Sequence, residues 1–299
     1  MEDGQPSLTA VAAAMTRAAH LLLDDEPKVF VDSLALGLSG AETEATLQAH
    51  LHAQHTELAR RFPPDFAYEL LKYLRALMTM RSRYVEDELS KALQRGVSQY
   101  VILGAGLDSF AYRRRDLTDA VQIFEVDHPV SQQWKRARLN ALRVELPPNL
   151  TFVPIDFEKQ TLVEVLRMAG YRAKKPGFFS WLGVTQYLTE EAIQHTLQAV
   201  ASLAPDTEII FEYTAPETRL DEEGRRVLAA FKARGAARGE PWLSLFEPTR
   251  LTTRVKELGF AEVEDFSPEA ANARYFAGRT DSLQVPPTTH LMRARIVNA

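Results

Sequence analysis

Residues 100–113 read Tyr-Val-Ile-Leu-Gly-Ala-Gly-Leu-Asp-Ser-Phe-Ala-Tyr-Arg, and no other stretch constrains the fold of this chain as tightly. The apolar run Tyr100–Leu103 is too short for a buried helix and stops at glycine, so it reads as a buried parallel strand. Gly104 and Gly106 let the backbone turn sharply and come close to a ligand that a Cβ would hold off. A strand followed by such a loop belongs at the C-terminal edge of a sheet, where open α/β folds bind their ligands. The loop is not a phosphate cradle. There is no GxxxxGK[ST], and Ser109 stands where a GxGxxG fingerprint needs its third glycine. The loop points to a nucleoside ligand without phosphate, such as S-adenosylmethionine, or to a tight strand-to-helix turn and nothing more.

From residue 100 onward, strands and helices alternate, which is the pattern of a parallel sheet flanked by helices. The expected strands are 100–103, 121–127, 150–155, 177–182, 208–213 and a sixth over 259–263, with a closing strand inside 288–296. Before residue 100 the chain reads as helical over 8–60, broken at Pro27, and again over about 65–94 with an apolar stripe of Leu70, Leu71, Leu74, Leu77 and Met78. We expect a helical N-terminal cap over 1–95 and an α/β core over 96–299, with a lid segment inserted at about 214–250. A length of 299 residues suits this organisation.

Three acids fall at the C-terminal ends of successive strands: Asp108, Asp127 and Asp156. In a parallel sheet these ends share one edge, so the three carboxylates converge on one crevice. An acid after the second strand is placed to accept from both ribose hydroxyls of a nucleoside. One after the third strand is placed near the base, where Phe157 can supply an apolar wall. Acids also cap helices after such turns, so each one alone has a purely structural reading.

Other chemistries drop out. With no cysteine, disulfides, thiolate metal sites and a cysteine nucleophile are excluded. A net charge of −5 gives no basic footprint for nucleic acid. His50, His52 and His55 lie in a polar helical stretch without HExxH spacing and read as solvated surface, so no metal is expected. No apolar stretch reaches the ~20 residues of a membrane span. Glu2 and Asp3 stand where a signal peptide carries positive charge. We expect a cytoplasmic protein. Neither a GxSxG nucleophile elbow nor a kinase DFG element is present.

The segments ILGAGLDSFAYR (102–113), FEVDHP (124–129), DFE (156–158) and GVTQYLT (183–189) resemble the leucine carboxyl methyltransferase-like family, in its bacterial branch of S-adenosyl-L-methionine-dependent O-methyltransferases. Stretches 9–35, 80–89 and 274–283 share the resemblance, which covers most of the chain. It implies a class I methyltransferase (Rossmann-like) fold: a doubly wound seven-stranded sheet, its last strand antiparallel, under a helical N-terminal cap. It also implies that Gly104, Ala105 and Gly106 approach the methionine part of S-adenosyl-L-methionine. Asp127 would hold the ribose, Asp156 and Phe157 the adenine, and Arg81 the cofactor carboxylate. Many relatives have a glutamate before the glycine after strand four, where this chain has Leu182-Gly183. Leu182 can only pack there, and backbone carbonyls near Ser180 or Trp181 would have to receive the cofactor amino group.

The methyl acceptor is less legible. A carboxylate acceptor needs no base, whereas a hydroxyl is helped by one. Tyr187, Glu212, Tyr213 and His128 lie near the sheet edge as candidate bases, and Arg17 and Arg113 as candidate carboxylate anchors, but each also has a structural reading and none is assigned as catalytic. Trp242, Phe246, Tyr275 and Phe276 either line a partly apolar acceptor pocket or belong to the core. We expect a small-molecule hydroxyl or carboxylate as acceptor. The rival readings are a protein C-terminal carboxylate and a cofactor-binding protein without catalysis.

Overall fold

The computed structural model describes residues 8–156 and 160–297. Four helices come first: α1 (Leu8–Leu23), α2 (Ala35–Ser39), α3 (Glu44–Ala59) and the long α4 (Pro64–Gln94). The alternating part follows as β1 (Gln99–Leu103), α5 (Phe110–Arg113), β2 (Gln122–Asp127), α6 (Pro129–Ala141), β3 (Leu150–Pro154), α7 (Leu162–Met168), β4 (Phe178–Trp181), α8 (Glu190–Ala201) and β5 (Glu208–Thr214). The chain closes with α9 (Glu222–Ala236), α10 (Pro248–Glu257), β6 (Glu262–Phe266), α11 (Pro268–Tyr275) and β7 (Thr289–Arg295).

The strands form one seven-stranded sheet in the order β3-β2-β1-β4-β5-β7-β6. β7 runs antiparallel to both β5 and β6, while the pairs from β3 through to β5 are all parallel. The order reverses at β1 and β4, and a crevice opens beyond the carboxyl ends of these neighbouring strands. This is the class I methyltransferase arrangement that the family segments imply.

Continuous apolar strands follow from burial on both faces. Tyr100 and Ile102 of β1 pack with Met80, Tyr84 and Val85 of α4. Val101 and Leu103 point the other way, into a second cluster with Phe179, Trp181, Ile193 and Leu197. Alternation at a period of two delivers one β1 to two cores. Helix starts are marked locally. Pro64 and Pro129 occupy the first turns of α4 and α6, while the Thr189 and Asp221 side chains cap α8 and α9 by accepting from Ala192 N–H (3.2 Å) and Gly224 N–H (2.8 Å).

Two expected elements change. The helical run over 8–60 is three helices, because residues 24–34 leave helical geometry to place polar side chains: Asp24 is bonded to His20 (2.8 Å) and to Arg75 (3.0 Å). The sixth strand starts at Glu262, later than the apolar Phe260, since Gly259 closes the preceding turn with φ +107°. Phe260 is a core residue between the two elements.

One charge pair is fully enclosed. Glu125 of β2 accepts from Lys135 Nζ at 2.7 Å, and both side chains are buried. Burial pushes the Glu125 carboxyl up to about 7, against the opposing pull of Lys135. Removing one partner leaves an uncompensated charge in the core. Lys135→Met should therefore lower the unfolding free energy by about 3–5 kcal/mol, measured by denaturant titration. Adding Glu125→Leu should recover most of that loss.

Candidate functional site

The loop after β1 is fixed by the end of β2. Gly104 and Ala105 N–H both donate to Val126 O, at 2.9 and 3.1 Å. Gly106 N–H donates to Asp127 Oδ2 at 2.5 Å, and His128 N–H donates to Asp127 Oδ1 at 2.7 Å. Gly104 has φ +64°, and a Cβ there would stand 2.5 Å from Val184 Cγ2. Only glycine serves at that position. Ile155 N–H donates to Asp127 O at 2.9 Å, which brings the segment carrying Asp156 beside Asp127. Phe157 lies outside the described residues.

Across the crevice, α4 supplies Arg81. Its Nη1 donates to Glu212 Oε2 of β5 at 2.7 Å, and the same oxygen accepts from Gly183 N–H at 3.0 Å. A Cβ at Gly183 would lie 2.8 Å from Arg81 Nη1, so the guanidinium occupies the space a larger residue would fill. Leu182 and Asp108 share the wall of one small cavity, of about 10 Å³, with Tyr100, Arg17 and Arg113. Asp108 Oδ1 itself accepts from Phe110 N–H at 2.8 Å, capping the turn into α5.

Helix α1 lies directly against the loop: a Cβ on Gly106 would meet Ala10 Cβ at 3.2 Å. Arg17 of α1 donates to Leu107 O (2.7 Å) and to Asp32 Oδ2 (2.8 Å). Ser109 Oγ donates to the same Asp32 oxygen at 2.7 Å, and Arg113 is bonded to Ser109 (2.8 Å) and Glu86 (2.5 Å). Arg17 and Arg113, expected as acceptor anchors, are thus committed to carboxylates of the protein itself.

The candidate bases separate. Glu212 faces the crevice but is engaged by Arg81 and Gly183. Tyr213 points to the opposite face, where its hydroxyl donates to Asp265 (2.7 Å) and its ring stacks on His290. His128 Nδ1 accepts from Val130 N–H (3.3 Å) and caps α6. Tyr187 sits in the short turn after β4, half-buried, and burial raises its hydroxyl above the usual tyrosine value. Phe246 and Phe276 are core residues; Tyr275 donates to Asp87 (2.8 Å), and Trp242 packs on Phe231.

The family model for leucine carboxyl methyltransferase matches residues 10–201. The chain belongs to the leucine carboxyl methyltransferase family. A Bacillus subtilis relative named "Putative S-adenosyl-L-methionine-dependent methyltransferase YktD" is 33% identical over 306 residues, covering 98% of this chain and 99% of its own. Among solved structures, a "putative methyltransferase" from Thermobifida fusca superposes with a TM-score of 0.59 at 16% identity, over 99% of this chain and 97% of that one. A DUF574 family protein from Streptomyces avermitilis gives 0.56 at 13% identity, over 95% and 97%. These two likenesses concern the fold. The protein is an S-adenosyl-L-methionine-dependent methyltransferase.

The residues present fit that cofactor. The loop has no Cβ at 104 or 106 to hold a ligand away, and a partly buried carboxylate stands at the end of β2. Asp127 keeps lone pairs beyond its two backbone bonds and would accept from the ribose hydroxyls. Glu212 holds Arg81 Nη1, and a guanidinium has five donors, so Arg81 retains capacity for a ligand carboxylate. Among the described residues no helix is long and apolar enough to cross a membrane, and no cluster of three or more His, Asp or Glu side chains is arranged to hold a metal ion.

Burial raises the Asp127 carboxyl above the ordinary aspartate value, against its two backbone N–H bonds. A protonated Asp127 accepts less well, so cofactor affinity should fall as pH drops through this raised value, sooner than an exposed aspartate would dictate. Calorimetric titration with S-adenosylhomocysteine checks it: Asp127→Asn should bind at least tenfold more weakly at pH 7.5 and lose most of the pH dependence.

Proposed function

We propose that this methyltransferase acts on an oxygen atom of a small molecule held beneath the N-terminal helices. The observation that carries the reading is the direct seating of α1 on the glycine loop, with Ala10 against Gly106 and Arg17 bonded to Leu107 O. A crevice covered in this way admits a small acceptor, whereas a protein C-terminus requires an open approach.

When bound, S-adenosyl-L-methionine supplies an electrophilic methyl group on a sulfonium. An acceptor oxygen would take that methyl with its lone pair, and a hydroxyl acceptor would pass its proton to solvent. The protein's part is to hold the reactants at near-attack distance and keep water out. Asp127, Asp156 and Arg81 would orient the donor. The helices before β1 and the segment 214–250 would close over the acceptor, with Tyr187 between them at the end of β4. No residue is assigned as general base, and an ionised acceptor needs none.

Incubation with methyl-labelled S-adenosyl-L-methionine and separated small-molecule and protein fractions of a cell extract tests the reading. Label should appear in the small-molecule fraction as a base-labile ester or a stable ether. Label confined to protein would overturn the small-molecule reading in favour of a protein carboxylate. Label in neither would favour cofactor binding without catalysis.

A further inference from the structure

Arg234 and Arg238 stand one helical turn apart, the first in α9 and the second just past its end at Ala236. Both are partly buried. Among the described residues, neither guanidinium makes a hydrogen bond or lies within ion-pair distance of a carboxylate. This sets them apart from the other sequestered arginines, since Arg17, Arg75, Arg81 and Arg113 are bonded to Asp32, Asp24, Glu212 and Glu86. A cavity of about 530 Å³ makes the same contrast. It is lined by Arg83, Arg274 and Arg279, but these pair with Asp87, Glu88 and Asp281.

The segment 240–246 packs beside the C-terminal end of α9, where the two arginines lie. Leu243 N–H donates to Gln186 O at 2.7 Å, and Ser244 Oγ donates to Leu188 O at 2.5 Å, so this segment is stitched to the turn that carries Tyr187. Its Trp242 packs against α9 so closely that a Cβ on Gly235 would meet Trp242 Nε1 at 3.1 Å. Tyr187 lies within electrostatic range of both guanidiniums, and the Glu240 carboxylate within range of Arg238. Burial pushes Arg234 down to about 10, and the neighbouring Arg238 charge adds to the shift. Two partly buried cations held close together without a hydrogen-bonded carboxylate are costly. A ligand anion relieves that cost through charge-assisted, two-point hydrogen bonds.

We propose that Arg234 and Arg238 form an anion subsite that anchors a carboxylate or phosphate group of the methyl acceptor, beside Tyr187 at the end of β4. The proposal rests on the reading of this crevice as the acceptor site. An oxygen clamped between two guanidiniums is a poor nucleophile, so the anchored group is not the one methylated. The acceptor therefore carries an acidic group and, elsewhere, the oxygen that receives the methyl.

The test uses the full chain saturated with S-adenosylhomocysteine and calorimetric titration with benzoate, phenyl phosphate and neutral benzamide. At least one anion should bind tenfold or more tightly than benzamide, and comparison of the two anions tells a carboxylate subsite from a phosphate one. Arg234→Gln and Arg238→Gln should each weaken that anion at least tenfold while leaving S-adenosylhomocysteine affinity within twofold. Arg234→Lys, which keeps charge but loses the planar fork, should fall between wild type and the glutamine variant. Equal binding of benzamide and the anions, no binding of either anion, or anion affinity indifferent to both glutamine substitutions would overturn the subsite. Failure of the wild type to bind S-adenosylhomocysteine would instead strike the cofactor reading, and the same titrations register it separately.

Discussion

The carboxylate of Asp127 is the constraint on which the rest of the site depends. Its two oxygens take the Gly106 and His128 N–H groups, while its backbone carbonyl takes that of Ile155. Three chain segments that diverge from neighbouring strands are thereby held at one point: the loop after β1, the start of α6 and the end of β3. Hydrogen bonds to an ionised acceptor are roughly twice as strong as neutral ones. They offset the burial that would otherwise drive the proton back on. The residue that shapes the glycine loop is also the one we propose to read the ribose.

Above that point, the N-terminal helices are tied down by charge as well as by packing. Asp32 receives Arg17 from α1 and Ser109 from the segment after the loop, and Arg113 links this group onward to Glu86 of α4. Each buried cation here has a carboxylate, so the network holds the covering helix to the loop without leaving an uncompensated charge. Arg17 and Arg113 are therefore framework. An acceptor must find its polar partners elsewhere, which directs attention to the far side of the crevice, beyond β4.

What the sequence disclosed follows the range of the interactions. The strand at 100–103, the glycine loop and the acids at 127 and 156 are local patterns, and the sheet order places them on one edge as a parallel topology requires. The boundary of β6 was not legible, because the apolar Phe260 belongs to the turn before the strand and fills the core from there. The Arg81–Glu212 pair joins residues 131 positions apart, and no periodicity announces it. Glu212 read as one of several candidate bases with a structural alternative, and the structure shows it bonded to Arg81. Arg234 and Arg238 were invisible for a different reason. In a stretch reading RRVLAAFKARGAARG they look like an ordinary solvated helix face, and the return of residues 240–246 against that helix at Gly235 is a long-range contact that no local pattern announces.

The departure at Leu182 gains a physical meaning from the same long-range contact. The chain has leucine where the family resemblance leads one to expect glutamate, yet a carboxylate still stands beside it. It comes from the adjacent strand, since Glu212 Oε2 accepts from the N–H of Gly183, the residue immediately after Leu182. β4 and β5 run parallel with Trp181 opposite Phe211, so the side chain one step along β5 reaches the turn that leaves β4. Leu182 packs against the core on the α4 side, and the negative charge is provided by Glu212 beside Arg81. The sheet register thus lets one strand supply the charge beside a turn that its neighbour lines with an apolar side chain, and the ion pair with Arg81 holds that charge against the Gly183 N–H.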